Sequence, residues 1–257
     1  MNESKFVVSC LADGLLTLTL RRSPVNVLNV ALLHELASLL DEAAQDASVR
    51  VLLLTGAGEK IFSAGVDVAE HTADHAATML KAFHRVTRQL HDFPLPTVVA
   101  LNGSALGGGL ELALACDMIV AVEDAQFGQP EIRLGVLAPV AAILLPRLLP
   151  PALANEMLLG GAAIDAATAL QHGLVNRVFP RAAFDQSVAS FLQTYLQHSR
   201  SALIHCKQAL RMAVGLPFDA ALDKLEQHYL QSLMATADAQ EGIAAFLEKR
   251  PAHWSHR

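Results

Sequence analysis

Cysteine is scarce in this sequence of 257 residues, and no apolar run is long enough to cross a membrane. The three cysteines lie far apart and form no CxxC pair, which excludes a disulfide framework or a cysteine-based zinc site. The closest membrane candidate, residues 136–145, falls well short of the roughly 18 uncharged apolar residues required. Residues 1–14 lack the features of a secretory or organellar leader. We therefore expect a cytoplasmic protein that does not contact a membrane.

Basic runs and nucleotide-binding motifs are also missing. The 25 acidic residues outnumber the 19 Lys and Arg, and no Lys/Arg run could follow a phosphate backbone, so we expect no nucleic-acid partner. The sequence contains no P-loop and no GxGxxG, and Ser104 stands one place too early for a GxSxG nucleophile elbow. His71 and His75 have the spacing of a helical metal pair, but without an obvious third ligand we interpret them as a solvated helix start and expect no metal.

Hydrophobic residues make up 53% of the chain, enough for a sizeable core. β-Branched or aliphatic runs predict buried strands at residues 15–20, 51–55, 97–101 and 118–122. Helical spacing predicts helices at residues 31–44 and 73–90, and after Pro180 at 183–196, 201–214, 219–234 and 238–249. Strands that alternate with helices are typical of an α/β core. We predict a core of residues 1–195 and a helical region of residues 196–257 that packs on another subunit.

A glycine-rich segment, residues 102–117, contains the first candidate site. Gly107, Gly108 and Gly109 lie between a predicted strand and a predicted helix whose first turn carries Glu111. Glycines let a ligand approach the backbone closely, and unpaired N–H groups at a helix start can stabilise a developing negative charge. The structural alternative is a tight turn with Glu111 as a favourable helix-start acid. Leucines flank Glu111, so we do not expect its side chain to lie fully in solvent, and this favours a functional role.

Two further segments carry glycine beside chemically useful residues. Residues 61–67 (IFSAGVD) follow a predicted strand, and alone they indicate only a loop. Residues 127–135 (FGQPEIRLG) place Glu131 among apolar residues, where burial would raise its proton affinity. The structural alternative for Glu131 is an ion pair with Arg133 or Arg147, and on this segment alone we favour that alternative.

Taken together, the three segments resemble the enoyl-CoA hydratase/isomerase (crotonase) family in order and spacing. IFSAGVD resembles the family's FxAGxD element, ALGGGLEL resembles GGGxEL, and FGQPEIRLG resembles FxxPExxxG. The resemblance spans nearly the whole chain. It implies an α/β fold of the ClpP/crotonase type, with a ββα spiral core and a helical C-terminal trimerisation region.

The resemblance also implies an acyl-CoA hydratase that needs no separate cofactor, since coenzyme A is part of the substrate. The backbone N–H groups of Val66 and Gly108 would form an oxyanion hole for the thioester carbonyl, where one donor contributes about 3 to 4 kcal/mol. Glu111 and Glu131 match the family's catalytic glutamates, of which a hydratase uses one as base and the other as acid. The sequence leaves open which of the two is the acid.

Contacts to coenzyme A are implied at two places in the first half of the chain. The main chain of Ala64 and Val68 matches the positions that receive the adenine. Arg22 and Val25 lie in RSPV, which corresponds to the family's RPKA element. Pro24 replaces the basic residue of that element, so Arg21, Arg22 or Lys60 would have to supply the phosphate contact.

Assembly and acyl group are implied by the remaining parts of the resemblance. Phe246 and Lys249 resemble the C-terminal FxxKR element, which reaches a neighbouring subunit's coenzyme A and implies a trimer or a dimer of trimers. Pro139 replaces a family glycine at the water site, which makes the wall stiffer and more apolar. An apolar acyl pocket would be formed by Val66, Leu80, Phe83, Leu137 and Pro139.

Three stretches resemble one branch of the family, the cyclohexa-1,5-diene-1-carbonyl-CoA hydratases. They are GQPEIRLGVxAP, MLKAFHR at residues 79–85 and YLQSLMATxDAxEG at residues 229–242. This branch implies 1,4-addition of water to give 6-hydroxycyclohex-1-ene-1-carbonyl-CoA. The alternatives are a straight-chain 2-enoyl-CoA hydratase of fatty-acid oxidation and a catalytically silent scaffold subunit that binds coenzyme A. The contributions of His71, His75 and His84 stay open.

Overall fold

The computed structural model describes residues 6–256, which form ten strands and ten α-helices. The strands are β1 (Val7–Ala12), β2 (Leu15–Leu20), β3 (Val51–Gly56), β4 (Ile61–Ser63), β5 (Thr97–Leu101), β6 (Ser104–Leu106), β7 (Met118–Val122), β8 (Gln126–Gly128), β9 (Ala163–Asp165) and β10 (Arg177–Phe179). The α-helices are α1 (Val30–Gln45), α2 (Ala76–His91), α3 (Gly108–Leu114), α4 (Pro139–Leu148), α5 (Pro151–Gly160), α6 (Ala166–Gln171), α7 (Phe184–Leu196), α8 (Arg200–Met212), α9 (Phe218–His228) and α10 (Ala237–Leu247). Short 3₁₀ helices cover Val68–His71, Pro130–Leu134 and Arg181–Ala183, and a π-helical turn covers Tyr229–Leu233.

The larger sheet has six strands in the order β1-β2-β3-β5-β7-β10. Only the β1–β2 pair is antiparallel, and the remaining neighbours are parallel. All of β5 is buried, as a central parallel strand covered on both faces must be, whereas buried residues alternate along β2. Helices α1 and α2 pack against each other, and the side chain of Asn29 caps α1 by accepting from the N–H of Leu32 at 3.0 Å.

The smaller sheet positions the three segments that the sequence singled out. Its order is β4-β6-β8-β9, and β4, β6 and β8 are mutually parallel. Adjacent parallel strands end at the same edge of a sheet, so the loops that follow β4, β6 and β8 lie side by side. These loops carry Val66, Gly108 and Glu131.

The described residues divide into two compact units. The first comprises Thr97–Ala189 and the residues up to Phe93, and the second comprises Pro94–Pro96 and the residues from Ser190 onward. Within the second unit, buried Asp238 accepts hydrogen bonds from the hydroxyls of Ser199 and Ser255, at 2.5 and 2.7 Å. The assignment of residues 196–257 to oligomerisation stays a prediction.

The predicted elements of the core agree closely with the structure. The four predicted strands appear as β2, β3, β5 and β7, and only β3 differs, by one residue. The predicted helix at residues 73–90 begins later, as α2, and the predicted helix at 219–234 ends at His228 and continues as the π-helical turn. The sequence did not indicate β1 or the three-residue strands. Among residues 6–256, no helix is long and apolar enough to span a membrane.

Candidate active site

A cavity of about 610 Å³ lies beside the ends of β4, β6 and β8. The sequence-predicted residues that line it are Ala64, Val66, Val68, Leu80, Phe83, Gly108, Glu111, Glu131, Leu137 and Pro139. The structure therefore brings together both predicted amide donors, both glutamates and the predicted acyl pocket. Four other predicted residues, Arg22, Val25, Phe246 and Lys249, do not belong to this lining.

The N–H groups of Val66 and Gly108 belong to backbone segments that touch one another. A Cβ built on Gly108 would lie 2.7 Å from Val66 Cγ2 and 3.3 Å from Val66 N, and one built on Gly65 would lie 3.2 Å from Gly108 N. Gly65 and Gly107 have φ of 99° and 52°, which glycine adopts without strain. Within residues 6–256, neither N–H has a hydrogen-bond acceptor. Both donors can therefore serve one oxygen of a bound molecule.

Glu111 projects from the first turn of α3 and is only 3% exposed. Its Oε1 accepts from the N–H groups of Val140 and Ala141, at 2.7 and 2.9 Å, in the first turn of α4. The pKa of Glu111 is raised to about 7: burial is the main cause, the charge of Glu131 adds to the rise, and the two N–H bonds oppose it. Since Oε1 is occupied as an acceptor, Oε2 is left for proton transfer.

Glu131 is half-buried, and its side chain reaches the glycine-rich segment from the turn that follows the neighbouring strand β8. A Cβ on Gly107 would lie 2.5 Å from Glu131 Oε1, so any larger residue at this position, besides being strained at φ of 52°, would displace that carboxylate. Burial raises the pKa of Glu131, while the nearby charge of His71 lowers it. The ion pair that we favoured on the segment alone is wrong: within the described chain Glu131 pairs with no arginine, and Arg133 Nη2 instead donates to the carbonyl of Gly161 at 2.9 Å.

Gln129 is a site residue that sequence reasoning missed. It is 1% exposed, and with its amide nitrogen turned toward Glu131 it donates to Oε1 and Oε2 at 3.2 and 2.9 Å. An amide donor stabilises the ionised carboxylate and fixes its orientation. The available signal was a polar residue placed directly before Pro130 and Glu131 in an otherwise apolar segment.

The two glutamates form a coupled pair of acids. Each has a raised pKa, and the charge on Glu131 contributes to the rise at Glu111. Because the charge on Glu131 raises the pKa of Glu111, ionisation of Glu131 favours the protonated form of Glu111. One member can then act as base while the other acts as acid.

The cavity wall is apolar, and its side chains are buried at one end of the cavity and exposed at the other. Phe83 is 1% exposed and lies at the buried end, whereas Val68 and Leu137 are 60% and 71% exposed. Pro139 is the first residue of α4, directly before the two N–H groups that hold Glu111. The apolar wall lowers the polarity around the carboxylates, which strengthens electrostatic interactions inside the cavity.

The predicted coenzyme A residues occupy different surroundings. Arg22 donates to the carbonyl of Val27 at 3.2 Å and lies 3.5 Å from Asp67 Oδ2, so part of its guanidinium is already engaged. The carbonyl of Val25 accepts from Ala64 N at 2.9 Å, which ties the loop after β4, where the adenine is predicted to bind, to the loop after β2.

Phe246 and Lys249 belong to the second unit. Phe246 lies on α10 and is 83% exposed, and Lys249 follows that helix with φ of 56°. Their roles at a neighbouring subunit's coenzyme A stay predictions.

His71 and His75 are each engaged in a local contact. His71 lines the cavity, and its Nδ1 lies 3.1 Å from the carbonyl of Asp67. His75 Nδ1 lies 2.8 Å from Thr72 Oγ1. In the described chain, no group of three or more His, Cys, Asp or Glu side chains is arranged to hold a metal ion.

Known proteins are similar to this chain along nearly its whole length. The family model for enoyl-CoA hydratase/isomerase matches residues 11–257. Cyclohexa-1,5-dienecarbonyl-CoA hydratase of Thauera aromatica is 41% identical over 252 residues, 95% of each chain. 2,3-Dehydroadipyl-CoA hydratase of Escherichia coli K12 is 41% identical over 238 residues, 91% of this chain and 92% of that one. The crystal structure of an enoyl-CoA hydratase from Bacillus anthracis superposes with a TM-score of 0.93 at 30% identity, covering 98% of this chain and 100% of that one.

Proposed function

Because the chain belongs to the enoyl-CoA hydratase/isomerase family, we propose that it hydrates the conjugated double bonds of a cyclic acyl-CoA thioester. The predicted family and the crotonase-like α/β fold are confirmed, and the chain is an acyl-CoA hydratase. The proposed substrate is cyclohexa-1,5-diene-1-carbonyl-CoA, and the proposed product is 6-hydroxycyclohex-1-ene-1-carbonyl-CoA.

One observation supports the reaction type most directly: two unpaired amides and two carboxylates of raised pKa border a single cavity. The thioester oxygen would accept hydrogen bonds from Val66 and Gly108. Negative charge develops on that oxygen only as the reaction proceeds, so these donors lower the barrier rather than merely bind substrate.

The glutamate pair would supply both proton transfers. The ionised glutamate takes a proton from water, and the resulting hydroxide bonds to ring carbon 2, the β-carbon. The electron pair of the carbon 1–carbon 2 double bond moves onto the thioester oxygen and gives a dienolate. The protonated glutamate then delivers its proton to carbon 5, and a double bond forms between carbons 1 and 6. One water is consumed, and the glutamates exchange protonation states.

The choice of a ring as the acyl group has separate support. Phe83, Leu80 and Pro139 border the cavity with flat or compact apolar surfaces, which suit a planar carbocycle better than a flexible chain. The Thauera aromatica relative, named for this diene, covers 95% of the chain. An ordinary straight-chain 2-enoyl-CoA hydratase would use the same carboxylates, so only the acyl pocket distinguishes the two.

Assembly into trimers is part of the proposal. The second unit exposes large apolar side chains, including Leu210 at 76%, Phe218 at 77% and Phe246 at 83%. Exposed apolar surface of this extent favours burial against another chain. With Lys249 beside a neighbouring coenzyme A, each acyl-CoA site would be completed by two subunits.

Product analysis in heavy-oxygen water tests the function. The enzyme is incubated with the cyclic dienoyl-CoA, crotonyl-CoA and longer linear enoyl-CoAs, and the products are identified by mass spectrometry. We expect one heavy oxygen in the cyclic product and a kcat/KM for the diene at least tenfold above that for crotonyl-CoA. A preference for linear substrates would overturn the cyclic assignment, and absence of turnover on every thioester would favour the scaffold alternative.

A further inference from the structure

A second cavity, of about 380 Å³, is lined by basic side chains that the proposed reaction does not use. They are His84, Arg88 and His91 on α2 and Arg147 on α4. No acidic side chain of the described residues belongs to this lining. Arg88 and Arg147 bring two positive charges together here in a chain with a net charge of −6, while burial and the charge of Arg88 lower the pKa of His84.

The basic cavity continues the acyl pocket along the same helices. On α2 the acyl pocket ends at Phe83 and the basic cavity begins at His84, and Pro139 lines both. Val140 lines the basic cavity, while its N–H donates to Glu111 at 2.7 Å. The two cavities therefore meet at the first turn of α4, and along that helix Arg147 lies seven residues beyond Val140, about 10 Å by the helical rise.

Most of the basic side chains in this cavity have no acidic partner within residues 6–256. Within residues 6–256, Arg88 and Arg147 form no ion pair, and both are exposed. His84 Nε2 is buried and lacks a hydrogen-bond partner in that part of the chain. His91 Nδ1 does have an acidic neighbour, Asp92 Oδ1, at 2.8 Å. Two unpaired guanidinium groups on facing helices suit an anion that accepts several charge-assisted hydrogen bonds.

We infer that the basic cavity is a subsite for an anionic group of carboxylate or phosphate type, carried at the far end of an acyl chain whose thioester lies in the active site. The inference rests on the proposed acyl-CoA site but not on the cyclic acyl group. Such an acyl chain passes Phe83 and Pro139 and ends between Arg88 and Arg147. A free anion of the same chemistry is the other source that the experiment must distinguish.

Binding measurements test the subsite without requiring turnover. Calorimetry gives dissociation constants for saturated acyl-CoAs in matched pairs, adipyl with hexanoyl and suberyl with octanoyl. We expect the dicarboxylyl member to bind at least tenfold more tightly for one chain length. Without a subsite it should bind more weakly, since a carboxylate in an apolar pocket is penalised. Equal or weaker binding at both lengths would overturn the acyl-linked subsite.

Variants of the two arginines test whether the preference for dicarboxylyl-CoA arises in the basic cavity. Arg88→Gln and Arg147→Gln, both exposed positions, should each reduce the dicarboxylyl-to-monocarboxylyl ratio of affinities about tenfold. Arg85→Gln is the matched control, because Arg85 lies on the same helix outside this cavity and pairs with Asp41 at 2.6 Å. An unchanged ratio in both cavity variants would contradict the assignment.

A separate titration tests whether the basic cavity binds a free anion instead of one carried by the acyl chain. Inorganic phosphate is titrated into the wild type and Arg88→Gln at constant ionic strength. Phosphate that competes with adipyl-CoA or suberyl-CoA, but not with the monocarboxylyl partners, supports the acyl-linked subsite. Phosphate that binds only the wild type, without any dicarboxylyl preference, would overturn the link to the acyl chain. Failure of hydration with dicarboxylyl preference intact would count against the proposed reaction alone.

Discussion

Replacing Glu111 with glutamine should make the protein more stable while removing its activity. The wild-type carboxyl is 3% exposed, and its pKa is raised from the ordinary 4.5 to about 7 because burial disfavours the charged form. Glutamine has nearly the same shape, and its carbonyl oxygen can accept the same N–H groups of Val140 and Ala141. The variant therefore keeps the packing and loses only the cost of ionising a buried acid.

The magnitude follows from the two pKa values. Below about pH 4.5 the carboxyl is protonated in both folded and unfolded chains, so its ionisation does not affect stability. Between 4.5 and about 7 the unfolded chain ionises first, and the wild type loses stability as the pH rises. Above pH 7 the loss is complete and amounts to about 3 kcal/mol. Glu111→Gln lacks this loss, so its advantage should grow by that amount between pH 4.5 and 8.

Urea unfolding at fixed protein concentration, at several pH values from 4.5 to 8, measures this difference. Glu42→Gln, at an exposed position of α1, is the control and should run parallel to the wild type. Turnover of the Glu111→Gln variant should fall by at least two to three orders of magnitude, as expected for loss of a general acid or base. A stability difference that does not change with pH would refute the reasoning, because it would mean that Glu111 is not held in a desolvated state.

Other parts of the site give further predictions. Gly108→Ala should lower kcat about 10² to 10³-fold by placing a Cβ 2.7 Å from Val66 Cγ2 and displacing an oxyanion donor, whereas Gly160→Ala, which meets nothing within 4 Å, should leave kcat unchanged. Gln129→Leu should raise the pKa of Glu131 further and move the acid limb of the pH–rate profile to higher pH; an unmoved limb would reduce Gln129 to a packing role. Pro139→Gly and Pro151→Gly, both at helix starts, should each destabilise by about 0.4 to 1 kcal/mol in thermal unfolding, but only Pro139→Gly should lower kcat. Phe246→Asp should shift the mass in light scattering toward monomer if the exposed face of α10 forms the trimer contact.

The sequence predicted the core well because buried parallel strands are continuous apolar runs. β3 and β5 have no polar face to interrupt the pattern, and Gly or Pro marks one end of each. The smaller sheet could not be predicted in this way, since β4, β6 and β8 are three residues long and show no periodicity. Yet this sheet positions the predicted site residues Val66, Gly108 and Glu131, which were found only through the motifs that follow its strands.

Isolated segments gave the wrong partner for Glu131 for a related reason. Arg133 stands two positions away in sequence, and the 3₁₀ helix Pro130–Leu134 directs it to the carbonyl of Gly161 instead. Gln129, the actual neighbour, lies on the other side of Pro130 and is buried with the glutamate. Proximity in sequence is a poor guide where a proline begins a helical turn, because the turn sends nearby side chains in different directions.

The structure of α4 explains what Pro139 does at a position where the family pattern has glycine. Proline at the first position of a helix presets φ and gives up an N–H that would have no partner in the helix. The next two N–H groups, of Val140 and Ala141, are the ones that hold Glu111 Oε1. A glycine at this position would leave that turn freer to move, and the carboxylate would lose part of its fixed orientation. Proline at this position therefore stiffens the first turn of α4 and helps to hold the carboxylate of Glu111 in one orientation.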